Sequence, residues 1–225
     1  MTLRRDAALL ALINATLDAI LAATGSADLG SAGADLNSAV GDLRARVADL
    51  LRPPCSLFAP LAACFDLARR AGMAIDTLEG LRVAVLALPA SDLRTGFIRT
   101  RCAAFCCLQE SRAIANTTFV SRNEIDRVLA LVTAAFEAAQ VDAAASGDAI
   151  GYRALVSLRA ATVRDLTSRA RPLPRVVPYT FQRTRSSLTL AQRLYGDASR
   201  AAELIAENEA LNPLFMPRVG TALSV

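Results

Sequence analysis

Apolar residues recur at helical spacing along most of the chain, and this pattern predicts a mainly helical fold. The clearest case lies between Ala34 and Arg52, where they follow one another at steps of four, three, four and three. These steps form one narrow apolar stripe along a helix, which needs a second helix to cover it. We interpret the stripe as a helix-packing surface and as support for an oligomer. It consists of Leu36, Val40, Leu43, Val47 and Leu50.

The same periodicity, together with helix stop signals, divides the first three quarters of the chain into helices. Pro53-Pro54 and Gly72 end helices, and Ser121 with Glu124 forms a capping box that begins one. The turn residues 146–148 join two long helices, and such a short connection favours an antiparallel pair. The predicted helices cover residues 5–24, 34–52, 56–71, about 76–88, a segment from 91 onward, 121 to about 145, and a last one to about 169.

Three prolines within seven residues interrupt the helical pattern at Pro172, Pro174 and Pro178. We therefore predict a helical domain over residues 1–171 and a separate module over residues 172–225. The fold class predicted is mainly α, a helical hairpin or bundle followed by a small α+β module with the order strand, helix, helix, strand. The predicted elements of the module are a strand at 176–177 and 179–182, helices at 186–195 and 200–208, and a strand at 222–225.

Composition limits the chemistry that the chain can perform. Of its 225 residues, 53% are hydrophobic and 20% charged, which is typical of a folded chain. There is no His, and all 25 basic residues are Arg. These absences exclude a Ser/His/Asp triad, a His-ligated metal, a phosphate-loop lysine and Schiff-base catalysis. The carboxylate pairs Asp76 with Glu79 and Glu207 with Glu209 are predicted on ordinary helix surfaces, so we expect no enzyme and no cofactor.

Cysteine usage and the N-terminal segment both favour a soluble core. The chain has five Cys, and two of them, Cys102 and Cys106, lie one helical turn apart. This pair could share a metal, but without His or a CxxC motif buried thiols are the favoured interpretation. The apolar run from Leu3 to Gly25 is interrupted by Asn14 and Asp18, so an amphipathic core helix is expected there rather than a membrane span, with a signal peptide as the alternative.

Charge is distributed unevenly along the chain. Residues 1–149 carry 14 Arg against 16 acidic residues, and residues 150–225 carry 11 against 5, so the two parts have charges of −2 and +6. A basic C-terminal part could meet nucleic acid, an anionic membrane or an acidic protein. Arg183, Arg185, Arg193 and Arg200 are the candidates for contact with an acidic partner, and a merely solvated basic face is the alternative.

The segment from Leu188 to Asn208, followed by Asn212-Pro213 and Phe215-Met216-Pro217, carries a distinctive motif. Its predicted roles are structural: inward helix positions, an aromatic side chain at the helix end, a left-handed glycine cap, a turn, and an asparagine that bonds the second helix end. The residues in these roles and in the following loop are Leu190, Leu194, Tyr195, Gly196, Asp197, Asn208 and Pro213.

This motif resembles a LysM-like module. Together with Arg164-Asp165-Leu166 and Leu173–Val177 upstream, it is similar to the C-terminal part of the DNA circularisation (or circulation) proteins of Mu-like phage and prophage tails. The resemblance extends upstream to about Phe97. It implies a virion tail component at the baseplate or tail tip, made in the bacterial cytoplasm. Such a component would be an oligomeric assembly adaptor that contacts other tail proteins.

The chain also departs from these patterns. Members of the tail family usually begin with a β-rich domain, whereas this sequence begins with predicted helices, which leaves the role of that domain open. Sugar-binding LysM modules commonly start with Gly-Asp-Thr-Leu, where this chain has Arg185-Ser186-Ser187-Leu188. Binding to peptidoglycan and contact with DNA therefore remain alternatives to the assembly role.

Overall fold

The structure, a computed structural model, describes residues 2–25, 30–52 and 56–224, and its side chains from residue 7. It is mainly helical with one small antiparallel sheet, which confirms the predicted fold class. The helices are α1 (Thr2–Thr24), α2 (Gly30–Leu50), α3 (Phe58–Arg70), α4 (Ile75–Ala87), α5 (Leu93–Asn116), α6 (Arg122–Ala145), α7 (Ala149–Ala170), α8 (Ser187–Tyr195) and α9 (Ala201–Glu207), and the strands are β1 (Val176–Thr180) and β2 (Val219–Leu223).

The chain divides into two compact units. A helical unit contains Met1–Thr117 and Leu131–Val163, and a C-terminal unit contains Thr118–Ala130 and Arg164–Val225. Residues 118–130 and 164–171, which the sequence analysis placed in the helical domain, therefore group with the C-terminal residues. The predicted boundary falls after α7, and folding of residues 172–225 by themselves stays a prediction.

The apolar stripe of α2 is covered within its own chain. Leu36, Val40, Leu43 and Val47 are buried in the core of the helical unit, where α2 contacts α1 and α3. The helices that the stripe requires are thus present in the same molecule. The buried stripe therefore gives no support for an oligomer, and the oligomeric state stays a prediction.

Helix ends follow local hydrogen-bonding rules with one variation. At α5 the Asp92 side chain accepts from the Thr95 N–H at 2.8 Å, and Thr95 Oγ1 accepts from the Asp92 N–H at 3.0 Å. At α6, Ser121 Oγ accepts from the Glu124 N–H at 3.3 Å, but Glu124 accepts from the N–H of Val120, one residue earlier than in a standard capping box. The predicted stop at Pro53-Pro54 lies outside the described residues.

The turn between α6 and α7 has the chemistry expected of a tight connection. Gly147 adopts a left-handed φ of 72°, and Asp148 accepts from the Gly151 N–H at 2.9 Å. Arg159 pairs with Glu137 at 2.6 Å. These two residues lie at similar sequence distances on either side of the turn, as an antiparallel arrangement of the helices requires.

In the C-terminal unit, β1 and β2 pair antiparallel, with Val176 opposite Leu223 and Thr180 opposite Val219. The strands differ slightly from the prediction: β1 is continuous through Pro178, and β2 begins at Val219 rather than 222. Pro178 lacks an N–H, and a two-stranded sheet accommodates it because each strand has an unpaired edge.

Helices α8 and α9 cover the sheet and enclose a small core. The order strand, helix, helix, strand is as predicted, with a short 3-10 turn at Ala198–Arg200 before α9. The buried side chains come from every element of this module and from the loop before β2. They are Tyr179, Leu190, Ala191, Ala201, Leu204, Met216 and Ala222.

Candidate functional site

The four arginines predicted to contact a partner have different surroundings. Arg183 and Arg193 are exposed and make no ion pair with a described residue. Arg185 is half-buried; its carbonyl accepts from the Met216 N–H at 2.9 Å, and its Nε is buried without a hydrogen-bond partner among the described residues. The four therefore differ in exposure: Arg183 and Arg193 are exposed, whereas Arg185 and Arg200 are half-buried.

Arg200 is committed to contacts within the chain. Its guanidinium stacks on the ring of Tyr195, 3.9 Å from the ring centroid. It also donates to both oxygens of Glu203, at 3.1 Å from Nε to Oε1 and 2.7 Å from Nη2 to Oε2. The hydrogen bond with Arg200 lowers the pKa of Glu203. Arg200 is therefore partly neutralised, and its replacement would disturb the fold as well as any contact.

The remaining motif residues hold the module together. Leu190 is fully buried and Leu194 is half-buried against the same core. Gly196 ends α8 in a left-handed conformation with φ 72°, and Asp197 accepts from the Ser199 N–H at 2.8 Å. Pro213 is exposed, but its carbonyl accepts from the N–H of Ser187 at 2.7 Å.

The side chain of Asn208 links α9 to β2. Its Nδ2 donates to the carbonyls of Leu204 and Thr221, and its Oδ1 accepts from the Thr221 N–H, all at 2.8 Å. Gly220 lies directly against this linkage, because a Cβ added there would collide with Asn208 Oδ1 and lie 2.7 Å from Tyr179 Oη. The close approach explains why a residue without a side chain precedes Thr221.

The half-buried Tyr195 joins α8 to the sheet. Its Oη accepts from the N–H of Leu223 at 3.1 Å, and its ring lies beside a mostly apolar cavity of about 340 Å³ at the sheet. Burial raises the pKa of Tyr195. Both the hydroxyl and one face of this ring are already engaged, which leaves little of Tyr195 to contact a sugar in that cavity.

An exposed surface of mixed character lies where residues 181–187 run beside residues 213–218. The Phe181 N–H donates to the Arg218 carbonyl at 2.7 Å, which aligns the two segments. We call the exposed side chains along them the ribbon surface. Leu214 and Phe215 are 66% and 69% exposed, and Arg183 and Arg218 are exposed farther along the same two segments. The ribbon surface consists of Arg183, Leu214, Phe215 and Arg218.

A second basic feature was not found by sequence reasoning. A polar cavity of about 480 Å³ in the C-terminal unit is lined by four arginines, and we call it the arginine cleft. No Asp or Glu is among the described residues that line it. Arg122, at the start of α6, is 49 residues from the nearest of the others, so no local pattern could have indicated the grouping. The four are Arg122, Arg171, Arg175 and Arg200.

The helical unit contains a buried carboxyl group that was not predicted from the sequence. Glu110 of α5 is fully buried near Glu79 and Arg82 of α4, and Arg82 donates to the two Glu79 oxygens at 2.6 and 2.7 Å. Burial, and then the charge of Glu79, raises the pKa of Glu110 to about 8. The expectation that Glu79 lies on an ordinary surface is wrong, because it is half-buried with Arg82. Glu110 could have been found as a charge in register with the apolar positions Cys106 and Cys107.

Cys64, Cys102, Cys106 and Cys107 are free and buried, whereas Cys55 lies outside the described residues. Burial raises the pKa of Cys102 to about 12, so this thiol stays protonated at neutral pH. Within the described part of the chain, no group of three His, Cys, Asp or Glu residues could hold a metal ion.

Two helices are long and apolar enough to cross a membrane by length and composition alone. They are Ala7–Thr24 within α1 and the whole of α6. Core helices of soluble proteins meet the same criterion, and Leu9, Ile13 and Leu17 of α1 are fully buried in the helical unit. The expected absence of a membrane span stays a prediction.

No protein-family model matches this chain, and no curated protein matches it. The resemblance to phage tail circularisation proteins therefore stays a prediction.

Proposed function

We propose that this protein is a structural component of a phage tail, at the baseplate or tail tip, and that it acts as an assembly adaptor through protein contacts. The C-terminal unit supplies the docking surface in this proposal. Two independent lines support it: the motif resemblance of residues 188–217, and an exposed surface whose chemistry suits a protein partner.

The observation that carries the proposal is the ribbon surface. Leu214 and Phe215 are large apolar side chains held in the open by a backbone that is itself hydrogen-bonded to the neighbouring segment. Aromatic residues and Arg are enriched in the cores of protein interfaces, and exposed apolar groups with a polar rim mark such sites. Arg183 and Arg218 supply that rim, and they favour an acidic surface opposite.

Two other functions remain as alternatives with less support. Peptidoglycan binding in the cavity at the sheet would need an open aromatic face there, but Tyr195 is engaged by Arg200 and Leu223. DNA contact would use phosphate-binding arginines, which a basic unit can provide without any further specialisation.

Particle incorporation tests the assembly role. Tagged full-length protein is expressed in cells that produce the tails, and its amount in purified particles is measured for wild type, Phe215→Ala and Val141→Ala. Val141 is the matched control because it is 67% exposed in the helical unit. We expect Phe215→Ala to reduce incorporation about tenfold or more, since an interface aromatic contributes about 2 kcal/mol, and Val141→Ala to leave it unchanged.

Two outcomes would contradict the proposal. Absence of the wild-type protein from purified particles would remove the tail assignment. Normal incorporation of Phe215→Ala would remove the ribbon surface as the docking site. Retention of purified protein on peptidoglycan, but not in particles, would favour the cell-wall alternative.

A further inference from the structure

The arginine cleft concentrates positive charge that the fold does not neutralise. Arg122, Arg171 and Arg175 make no ion pair with a described residue, while Arg200 is paired with Glu203. Like charges repel one another, so grouping Arg122, Arg171 and Arg175 at one cleft costs some stability, which solvent reduces at the exposed Arg171 and Arg175. A bound anion would remove that cost.

Specific backbone hydrogen bonds build the cleft from three parts of the chain. The Arg122 N–H donates to the Pro174 carbonyl at 2.9 Å. The Arg175 N–H donates to Ser224 Oγ at 3.1 Å, and the carbonyl of Arg175 accepts from the N–H of Ser224. Asn123 adds a bond from the Val176 N–H to its Oδ1 at 3.1 Å. These contacts fix the start of α6 and the end of β2 against the segment before β1, and the cleft is thus held open as part of the fold.

One of the arginines that line the cleft also has an unsatisfied donor. The Nε of Arg122 is buried and has no hydrogen-bond partner among the described residues. A buried N–H without a partner destabilises the protein unless a ligand or water accepts from it. An oxyanion in the cleft would meet the guanidinium groups of the lining arginines, whose forks match the geometry of carboxylates.

We propose that the arginine cleft binds an acidic peptide segment of a protein partner. Pro172, Leu173 and Pro174 line the wall between the arginines, so the cleft offers apolar contact alongside cations, as a polypeptide with carboxylate side chains requires. Its volume of about 480 Å³ is that of a small-ligand or short-peptide site. Single-stranded nucleic acid fits less well, because its bases need aromatic platforms and no aromatic ring is among the described lining residues.

This site uses residues other than the ribbon surface, so it does not rest on the tail assignment. Its test uses the purified full-length chain and a fluorescein-labelled hexaglutamate peptide, with binding followed by fluorescence anisotropy. The cleft variants are Arg122→Gln, Arg171→Gln and Arg175→Gln. Arg183→Gln and Arg193→Gln are the matched controls, since both residues are exposed, unpaired arginines outside the cleft.

We expect each cleft variant to weaken hexaglutamate binding about tenfold, because a hydrogen bond between charged groups is lost, and the controls to change it less than about twofold. Binding should weaken as salt is raised, and hexaglutamine should not bind. A loss of binding by Arg171→Gln would not be due to misfolding, because Arg171 is exposed and has no described contact that supports the fold. Equal losses in cleft and control variants, no binding by wild type, or tighter binding of an oligo-dT strand that displaces the peptide would each overturn the proposal.

Discussion

Replacement of Asn208 is the perturbation whose effect the structure defines best. This one side chain makes three hydrogen bonds of 2.8 Å, two of them to the backbone of Thr221 in β2. Each net hydrogen bond contributes about 1 kcal/mol, and water can replace part of the loss at a half-buried site. Asn208→Ala should therefore lower the free energy of unfolding of the C-terminal unit by about 2 kcal/mol.

Asn208→Asp separates hydrogen bonding from packing. The aspartate keeps an acceptor for the Thr221 N–H, but its second oxygen faces the carbonyls of Leu204 and Thr221, where the amide had a donor. Oxygen against oxygen is repulsive, so this nearly isosteric variant should be less stable than Asn208→Ala at neutral pH. Acidification should restore part of the stability, because a protonated carboxyl can donate to one carbonyl.

Hydrogen exchange of the full-length protein, followed by mass spectrometry, reports the local stability of α9 and β2. A loss of about 2 kcal/mol corresponds to about thirtyfold faster exchange of their protected amides. Asn212→Ala is the control, since the side chain of the exposed Asn212 accepts from the Leu214 N–H within its own loop and has no described hydrogen bond to α9 or β2. The reasoning is refuted if both alanine variants exchange alike, or if Asn208→Asp is as protected as wild type.

Three further predictions concern other parts of the chain. The pKa of Glu110 is about 8 in the folded state against an ordinary value of 4.5, so the folded state holds a proton that the unfolded state has lost. The free energy of unfolding of the wild type should therefore fall as pH rises between these values, by up to about 1.4 kcal/mol per pH unit. Denaturation of Glu110→Gln, measured at several pH values, should lack this slope. Gly220→Ala should destabilise the C-terminal unit by about 2 kcal/mol or more, measured by the same hydrogen-exchange assay, because the added Cβ collides with the Asn208 side chain. Unchanged exchange would show that the Asn208 side chain can move aside without loss of stability. Charge reversal of Arg183 and Arg193 to Glu should block particle incorporation with an unchanged melting temperature, whereas normal incorporation would identify a solvated basic face.

Local patterns predicted the elements of this fold well. Apolar periodicity located the helices, and the prolines from Pro172 onward marked the change from helix to strand. The partner of the α2 stripe was not predictable in the same way, because periodicity shows that a face is buried but not which helix covers it. The closing strand was placed three residues late, since Val219 and Gly220 carry no alternation signal.

The candidate sites were less predictable because they depend on distant residues. Arg200 lies three residues before Glu203 and stacks on Tyr195, yet net charge alone made it equivalent to the exposed Arg193. Arg122 is brought to Arg175 by tertiary hydrogen bonds, from the Arg122 N–H to the Pro174 carbonyl and from the Val176 N–H to Asn123 Oδ1. Such groupings follow from tertiary contacts, which composition and spacing do not encode.

Cryo-electron microscopy of purified tail particles, from cells that encode this chain, tests the assembly role most directly. We predict density for the protein at the baseplate or tail tip, with Leu214 and Phe215 of the ribbon surface buried against a neighbouring virion protein. Complete tails that lack the protein, while cell extracts contain it in free form, would contradict the proposed function.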